Sequence, residues 1–321
     1  MVFNTRVTRI LGIKYPIFQG GMAWASNPEL VAAVSNAGGL GILGAGGLNG
    51  RELSIQIERV RQLTSRPFGV NLYYLNPNIE EQKRVVLEYA PPVVTVGAGN
   101  PGKDIPLFKE KGIKVIPVVA TVDFGRRMEK LGADMLIAEG YEAGGHVGEI
   151  TTMALVPQLV DRVSIPVVAA GGIADGRGFV AALALGAEGV QMGTRFLASE
   201  ECHIHQKYKE AILKAKDRST IVTGHPSGIR VRVIKNQLAR KFVELVERGA
   251  SVEELETLGM GALRKAVLLG DVNMGSLMAG QISGLINEIK PAAKIIEEII
   301  AEAGEVILKL NDTIVREEDN G

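Results

Sequence analysis

Eight short apolar runs punctuate the chain: Tyr15–Gln19, Gly39–Leu43, Phe68–Leu72, Val93–Val96, Lys114–Val119, Met135–Ala138, Pro166–Ala170 and Gly189–Met192. Several are nearly continuous in Val, Ile and Leu, the pattern of parallel strands covered on both faces. Between them lie amphipathic stretches such as Asn27–Ala37, Gly50–Leu63, Asn78–Tyr89 and Asp123–Leu131. Strands alternating with helices predict βαβ units and a parallel sheet. A weak internal repeat agrees: Gly38, Gly112, Gly132 and Gly186 each close a helical pattern just before a strand, where the left-handed cap conformation is expected. Eight similar units close most simply into a TIM (β/α)8 barrel. An open doubly wound sheet is the rival architecture.

After Arg195 the pattern changes. Residues 200–270 show no convincing strand and read as helices over His205–Lys216 and Val231–Arg248, with a third opening at Ser251 in a Ser-Val-Glu-Glu capping box. The predicted division is a barrel formed by residues 1–199 and 271–303, a helical insertion after the eighth strand at 200–270 forming a small substrate-side subdomain, and a charged tail at 304–321. Ser276–Ile289 is expected to be the barrel's last helix, with Ser276 as its N-cap, and Ile295–Ala303 a further one.

Composition narrows the function. The chain has 321 residues, 46% of them hydrophobic, and a net charge of +0, which gives no global case for nucleic acid or an anionic membrane. No apolar run approaches the ~20 residues needed to span a bilayer, and Met1–Arg9 lacks an apolar signal core. A single cysteine, Cys202, excludes an internal disulfide or a cysteine-based metal cluster, so a cytoplasmic location is the default expectation. Charge is nevertheless uneven. Residues 203–248 carry eleven Lys and Arg against four acids. This excess fits either ordinary solvated helix faces or the docking of an acidic partner or phosphate-bearing substrate.

Barrel enzymes place their chemistry at the C-terminal strand ends, with phosphate often held after strands seven and eight. Strand one is followed by Gln19-Gly20-Gly21-Met22-Ala23, an exposed backbone edge and a soft side chain suited to a flat heterocycle. Strand three ends at Asn71, an amide where a core residue is expected. Strand six ends at Glu139, a carboxylate closing an apolar run, which either meets a ligand or pairs with a Lys or Arg. Past it lies a loop with Gly140, Gly144, Gly145 and Gly148, and His146 among them. An imidazole there is placed for acid/base work; alone it would more often be a surface histidine. Gly171 and Gly172 after strand seven, with Gly193 and Thr194 after strand eight, can present backbone N–H groups, a hydroxyl and adjoining helix N-termini to a phosphate.

No metal site is predicted. His203 and His205 lack completing ligands. His225 reads as a loop histidine, with a role lining a substrate channel as the alternative. Cys202 has no base at motif spacing. Gln281 reaches the site only if a helix starts at the barrel mouth.

Together, the stretches around Gly20–Trp24, Ala37–Ile42, Phe68–Asn71, Ala138–Gly148, Ala169–Gly176, Gln191–Phe196 and Met278–Gln281 resemble the nitronate monooxygenase superfamily (formerly 2-nitropropane dioxygenase). Glu142–His146, Val96–Pro101 and Ile234–Leu238 resemble its FMN-dependent enoyl-acyl-carrier-protein reductase II branch in particular. The resemblance runs from about Thr5 to about Ile289. It implies a TIM barrel holding FMN non-covalently at its mouth. Gly21, Met22, Ala23 and Asn71 would meet the isoalloxazine, Gly171, Gly172, Gly193 and Thr194 the phosphate, and Glu139 the ribityl chain or ring. His146 would be the catalytic histidine. Branch members take hydride from NADH or NADPH onto flavin N5 and pass it to the β-carbon of a trans-2-enoyl thioester, some with a monovalent cation; His146 would assist proton transfer. The implied partner is acyl carrier protein or an acyl-CoA thioester, and a homodimer is expected. No separate Gly-x-Gly-x-x-Gly fingerprint is present in a strand–helix context, so nicotinamide and substrate would share one flavin face. The rival functions are nitronate oxidation with O2 and a non-catalytic FMN- or phosphate-binding barrel.

Overall fold

Ile17, Leu43, Val70 and Leu72 face the surrounding helices, while Phe18, Leu40, Ile42, Val93, Ile116, Ile137 and Val168 fill the interior of a cylinder. All are buried, because each strand is covered on both faces. In the computed structural model, which describes residues 3–224 and 228–313, the barrel strands are β1 (Ile17–Gln19), β2 (Leu40–Gly44), β3 (Phe68–Tyr73), β4 (Val93–Gly97), β5 (Lys114–Val119), β6 (Leu136–Glu139), β8 (Val167–Ala170) and β9 (Gly189–Met192). A short β7 (Gly145–His146) intervenes outside the barrel. The eight are parallel neighbours in chain order, and β9 pairs back onto β1 through Phe18↔Gln191 and its flanking residues. The (β/α)8 expectation holds, and the open sheet is excluded. Gly38, Gly112, Gly132 and Gly186 all take positive φ, so the repeated helix stop is a left-handed cap in each case.

A first helix, Arg6–Leu11, sends Val7 and Leu11 into the inner core beneath the strands' N-terminal ends. The opposite end is left for the loops.

The region after β9 departs from expectation. Two strands occur where only helices were expected: β10 (Thr220–Thr223) and β11 (Val231–Ile234) form an antiparallel pair. Val231 and Val233 alternate with Arg230 and Arg232, a period of two rather than 3.6. The predicted helix over Val231–Arg248 therefore begins only at Gln237, where the Asn236 side chain accepts the Ala239 N–H at 2.9 Å. Ser251 caps Val252–Gly259 in the expected box.

Ser276–Ile289 is not a helix. Its chain is extended at Met278, bridged to Val233, and contains only a 3-10 turn at Gln281–Leu285. Ser276 donates its N–H to Ala262 O instead of capping. The barrel's last helix is Ala292–Asp312. It packs against Gly176–Ala184, where Glu302 accepts the Gly176 N–H at 2.8 Å, so helix continues well past the predicted boundary at 304. No helix among the described residues is long and apolar enough to cross a membrane.

Candidate active site

A cavity of about 380 Å³ opens at the C-terminal strand ends, within the range of small-ligand sites. Its walls come from the ends of β1, β3, β6, β8 and β9, from the loop carrying His146, and from the insertion side through Tyr208, Leu263, Val267 and Met278. Gly21, Met22, Ala23, Asn71, Glu139, His146, Gly171, Gly172, Gly193 and Thr194 all line it.

At one end, Gly171 and Gly172 take φ of 90° and 75°, a conformation only glycine adopts freely. The amide N–H groups of Gly171, Gly172, Gly193 and Thr194 have no acceptor among the described residues. Four backbone donors left without acceptors on residues that line one cavity fit a phosphate. Thr194 Oγ1 accepts the Gly280 N–H at 2.9 Å, which leaves its own hydrogen to donate. One expected contribution is not there. The first N–H groups of helix Gly176–Ala184 are already taken by Asp175 Oδ1, at 3.0 and 3.2 Å, and by Glu302.

At the other end, the Gly20–Ser26 turn is shaped by Gln19, which is fully buried and does not line the cavity. Its amide donates to Ser26 Oγ at 2.8 Å and accepts the Ile42 N–H at 3.2 Å, and Ser26 Oγ accepts the Met22 N–H. Asn71 Oδ1 accepts from Thr95 Oγ1 at 2.9 Å, so its NH2 is left for a ligand.

Glu139 closes β6 with no Lys, Arg or hydrogen-bond donor beside it among the described residues; burial pushes its carboxyl up to about 7. This raised value carries a sign. The carboxyl is neutral in both folded and unfolded chains below about 4.5, and the folded state is penalised increasingly up to about 7. In flavin-free protein, Glu139→Gln is therefore expected to raise the melting temperature at pH 8 and leave it unchanged at pH 4. Equal melting temperatures at pH 8 would show that the carboxyl ionises freely there.

His146 stands on β7, whose backbone pairs with β11. The imidazole is solvent-exposed within the open cavity, yet protein surrounds it and pushes its pKa below 6.5, so it is mainly neutral at pH 7. Tyr73 stacks on it, with centroids 5.4 Å apart and planes at 26°. The phenol oxygen is 3.4 Å from Nε2. The loop's base is fixed by Glu142, which accepts the Thr152 N–H at 2.8 Å and its hydroxyl at 3.0 Å.

Several wall residues were not anticipated. Tyr73 lies two past Asn71 on the same strand face, so alternation gave a usable signal. Trp24 adopts φ 64° at the rim, and Met278 and Gly280 arrive from a segment read as helix. Gln281 is exposed and does not line the cavity. Cys202 is buried against Ala25 O, its thiol pushed up to about 11. His203 lies 3.9 Å from Glu29, and His205 accepts the Lys207 N–H as a helix cap. Neither histidine lines the cavity, and His225 lies outside the described residues.

Comparison with known proteins gives a consistent picture. The sequence model of the family described as nitronate monooxygenase matches residues 4–85 and 78–302. A probable nitronate monooxygenase of Staphylococcus saprophyticus is 38% identical, over 96% of this chain and 99% of that protein. The structure of FabK from Thermotoga maritima superposes with a TM-score of 0.94 at 51% identity, covering 97% of this chain and 99% of that one. A nitroalkane oxidase from Streptomyces ansochromogenes superposes with a TM-score of 0.85 at 30% identity, over 95% and 99%.

Proposed function

The chain belongs to the nitronate monooxygenase family and is a flavin-dependent oxidoreductase, and within that family we propose that it is an NAD(P)H-dependent trans-2-enoyl thioester reductase of fatty acid biosynthesis. The observation that carries this reading is the 51% identity to FabK across nearly the whole of both chains, against 38% and 41% to two probable nitronate monooxygenases and 30% to the nitroalkane oxidase. FabK is the reductase II branch that the loop around His146 resembles.

FMN is the proposed cofactor. The free N–H groups of Gly171, Gly172, Gly193 and Thr194 would hold its phosphate, and Gly21, Met22, Ala23, Asn71 and Glu139 its ring and ribityl chain. When bound, it supplies a two-electron carrier between a nicotinamide and the enoyl thioester. The remaining work is the protein's. Asn71 NH2 and the protonated Glu139 carboxyl donate hydrogen bonds in a site where full charges would be penalised. His146, held over the opening by Tyr73, would orient the thioester through a ring N–H as negative charge develops on it, and its protonated form is the one that would pass a proton to the α-carbon.

The thioester's carrier is proposed to dock on the insertion. Lys207, Lys214, Lys216, Arg218, Lys235, Arg240, Lys241 and Arg248 are exposed and make no ion pair among the described residues. Such a surface suits acidic acyl carrier protein or the phosphates of an acyl-CoA. A homodimer and a monovalent cation remain parts of the proposal that rest on the resemblance.

Nitronate oxidation is the second reading, favoured by the family model and by the Streptomyces ansochromogenes structure. One experiment separates the two. Protein reconstituted with FMN is bleached by NADH or NADPH under nitrogen and then mixed with crotonyl-CoA. Return of the oxidised flavin spectrum, with steady turnover, is expected. Oxygen uptake on propyl-2-nitronate without any nicotinamide, and no recovery with crotonyl-CoA, would move the assignment to nitronate monooxygenase. Normal flavin content with neither reaction would leave a non-catalytic barrel.

A further inference from the structure

The strand carrying His146 belongs to the insertion's sheet rather than to the barrel. β7 is the third strand of that sheet, paired antiparallel with β11 through Val231↔His146 and Arg232↔Gly145, and Val147 N donates to Arg230 O at 3.2 Å. The residue at the centre of this junction is Arg232. It is only 3% exposed. Its Nη2 and Nε both donate to the Tyr141 carbonyl oxygen, at 2.9 and 3.2 Å, and Nη1 reaches Thr220 Oγ1 at 3.3 Å. The guanidinium carbon lies 4.6 Å from the centre of the Tyr141 ring. No carboxylate pairs with it among the described residues.

Burying a cation without an anion is costly, and an apolar side chain of similar volume commonly packs a core better. Here the fork geometry of arginine is aimed at one backbone carbonyl, in a loop whose far end is His146. The rest of the loop is supported differently. Glu142 ties it to the barrel at Thr152, and Tyr73 supports the imidazole from across the cavity. Neither of these fixes the Tyr141 end to β11.

We propose that Arg232 is a positioning residue that locks the His146 loop onto the insertion's sheet and so sets where the imidazole stands over the cavity. Arg232 does not itself line the cavity, so it acts through Tyr141 and the β7 strand. The insertion and the proton-transferring group therefore move as one body. A carrier docked on the insertion's basic face meets a site whose histidine is already held by the surface it touches. This last consequence rests on the reductase reading; the role of Arg232 does not.

The test uses Arg232→Met, which keeps the stem and removes every donor, and Arg232→Lys, which keeps the charge but loses the fork. The first readout is the NMR titration of the His146 ring in FMN-loaded protein. The titratable groups around that ring are Tyr73 on β3, Glu139 and Glu142 in the cavity wall, and Arg230, Arg232 and Glu149 beside the loop. A loosened loop lifts the exposed ring away from the protein packed around it, so the pKa is expected to rise toward 6.5. The second readout is rapid mixing. Flavin reduction by NADH is expected to be unchanged, while reoxidation by crotonyl-CoA falls about 10- to 100-fold for Met and less for Lys.

An unchanged His146 titration in folded Arg232→Met would overturn the proposal, whether or not the protein reduces enoyl thioesters. Equal loss of both half-reactions together with flavin would also overturn it, since that marks a general structural role. Should Arg232→Met fail to fold, Arg232→Lys decides: titration and reoxidation like the parent's refute the role, and a raised pKa with slowed reoxidation supports it.

Discussion

His146→Ala is expected to lower enoyl thioester turnover by about 10²- to 10⁴-fold, the span typical of a positioned acid or base, while flavin content stays at the parent level. The two effects separate because the histidine and the phosphate cradle stand on different parts of the chain. His146 is carried by the loop after β6 and paired to β11, whereas the cradle is built from the turns after β8 and β9. The parent's pH profile supplies an independent check. The protein around the open cavity holds the imidazole's pKa below 6.5, so the neutral form dominates from pH 7 upward. Donation to the α-carbon needs the protonated ring, so turnover is expected to fall as pH rises through a value below 6.5 and then to level off, and His146→Ala removes the fall. The same shift makes stability fall as pH drops below 6.5, because the unfolded chain takes up the proton more readily than the folded one. An alanine variant with parent-like turnover would show that protonation at the α-carbon comes from solvent.

The barrel was legible because its strands are locally unambiguous. Runs such as Val-Val-Thr-Val and Lys-Val-Ile-Pro-Val-Val, each entered from a helix ended by glycine or a left-handed alanine, leave little choice of period. The site was legible for a related reason. Asn71 and Glu139 break apolar runs at positions where a core residue would pack better, and His146 stands in the glycine loop just past the second of them; the place in a closed barrel that rewards such residues is the strand's C-terminal end. What escaped depended on pairing between distant segments. Val231–Ile234 lies beside a helix former, and its strand character is secured by an edge provided by Gly145–His146, about eighty-five residues earlier. Ser276 looked like a cap because serine before an apolar run often is one. In fact the segment is drawn out across the His146 loop, where Gln281 N donates to Glu142 O at 3.0 Å, and no local pattern records that contact. The final helix was cut short because the charged residues after Ala303 resemble a tail. Its buried stripe of Ile295, Ile299 and Ala303 had already fixed the helix direction, and the exposed turns simply continue it.

Gly21→Ala is expected to weaken flavin binding about 10- to 100-fold, because the β1 turn and β3 leave no room for a methyl group. A Cβ on Gly21 would sit 2.2 Å from Asn71 Cβ and 3.3 Å from Ile42 Cγ2. The Asn71 contact cannot be relieved by rotating a side chain. Its Cβ is fixed by the strand backbone, which pairs with Gly44 on one side and Thr95 on the other. Either the turn shifts into the cavity or the strands part, and overpacking of this kind costs roughly 1–3 kcal/mol, which is about one to two decades in affinity. The displaced atoms are those of Gly21 and Met22, where the ring is proposed to lie, so the loss should appear as an elevated dissociation constant in flavin fluorescence titration. General destabilisation is distinguished by Gly112→Ala. That glycine has φ 74° and open space where a methyl group would stand, with nothing within 4 Å, so alanine there strains the backbone far from the cavity. It should lower the melting temperature and leave flavin affinity intact. Parent-like affinity in Gly21→Ala would mean that the ring does not rest against the end of β1, and the assignment of Asn71 as its neighbour would fall with it.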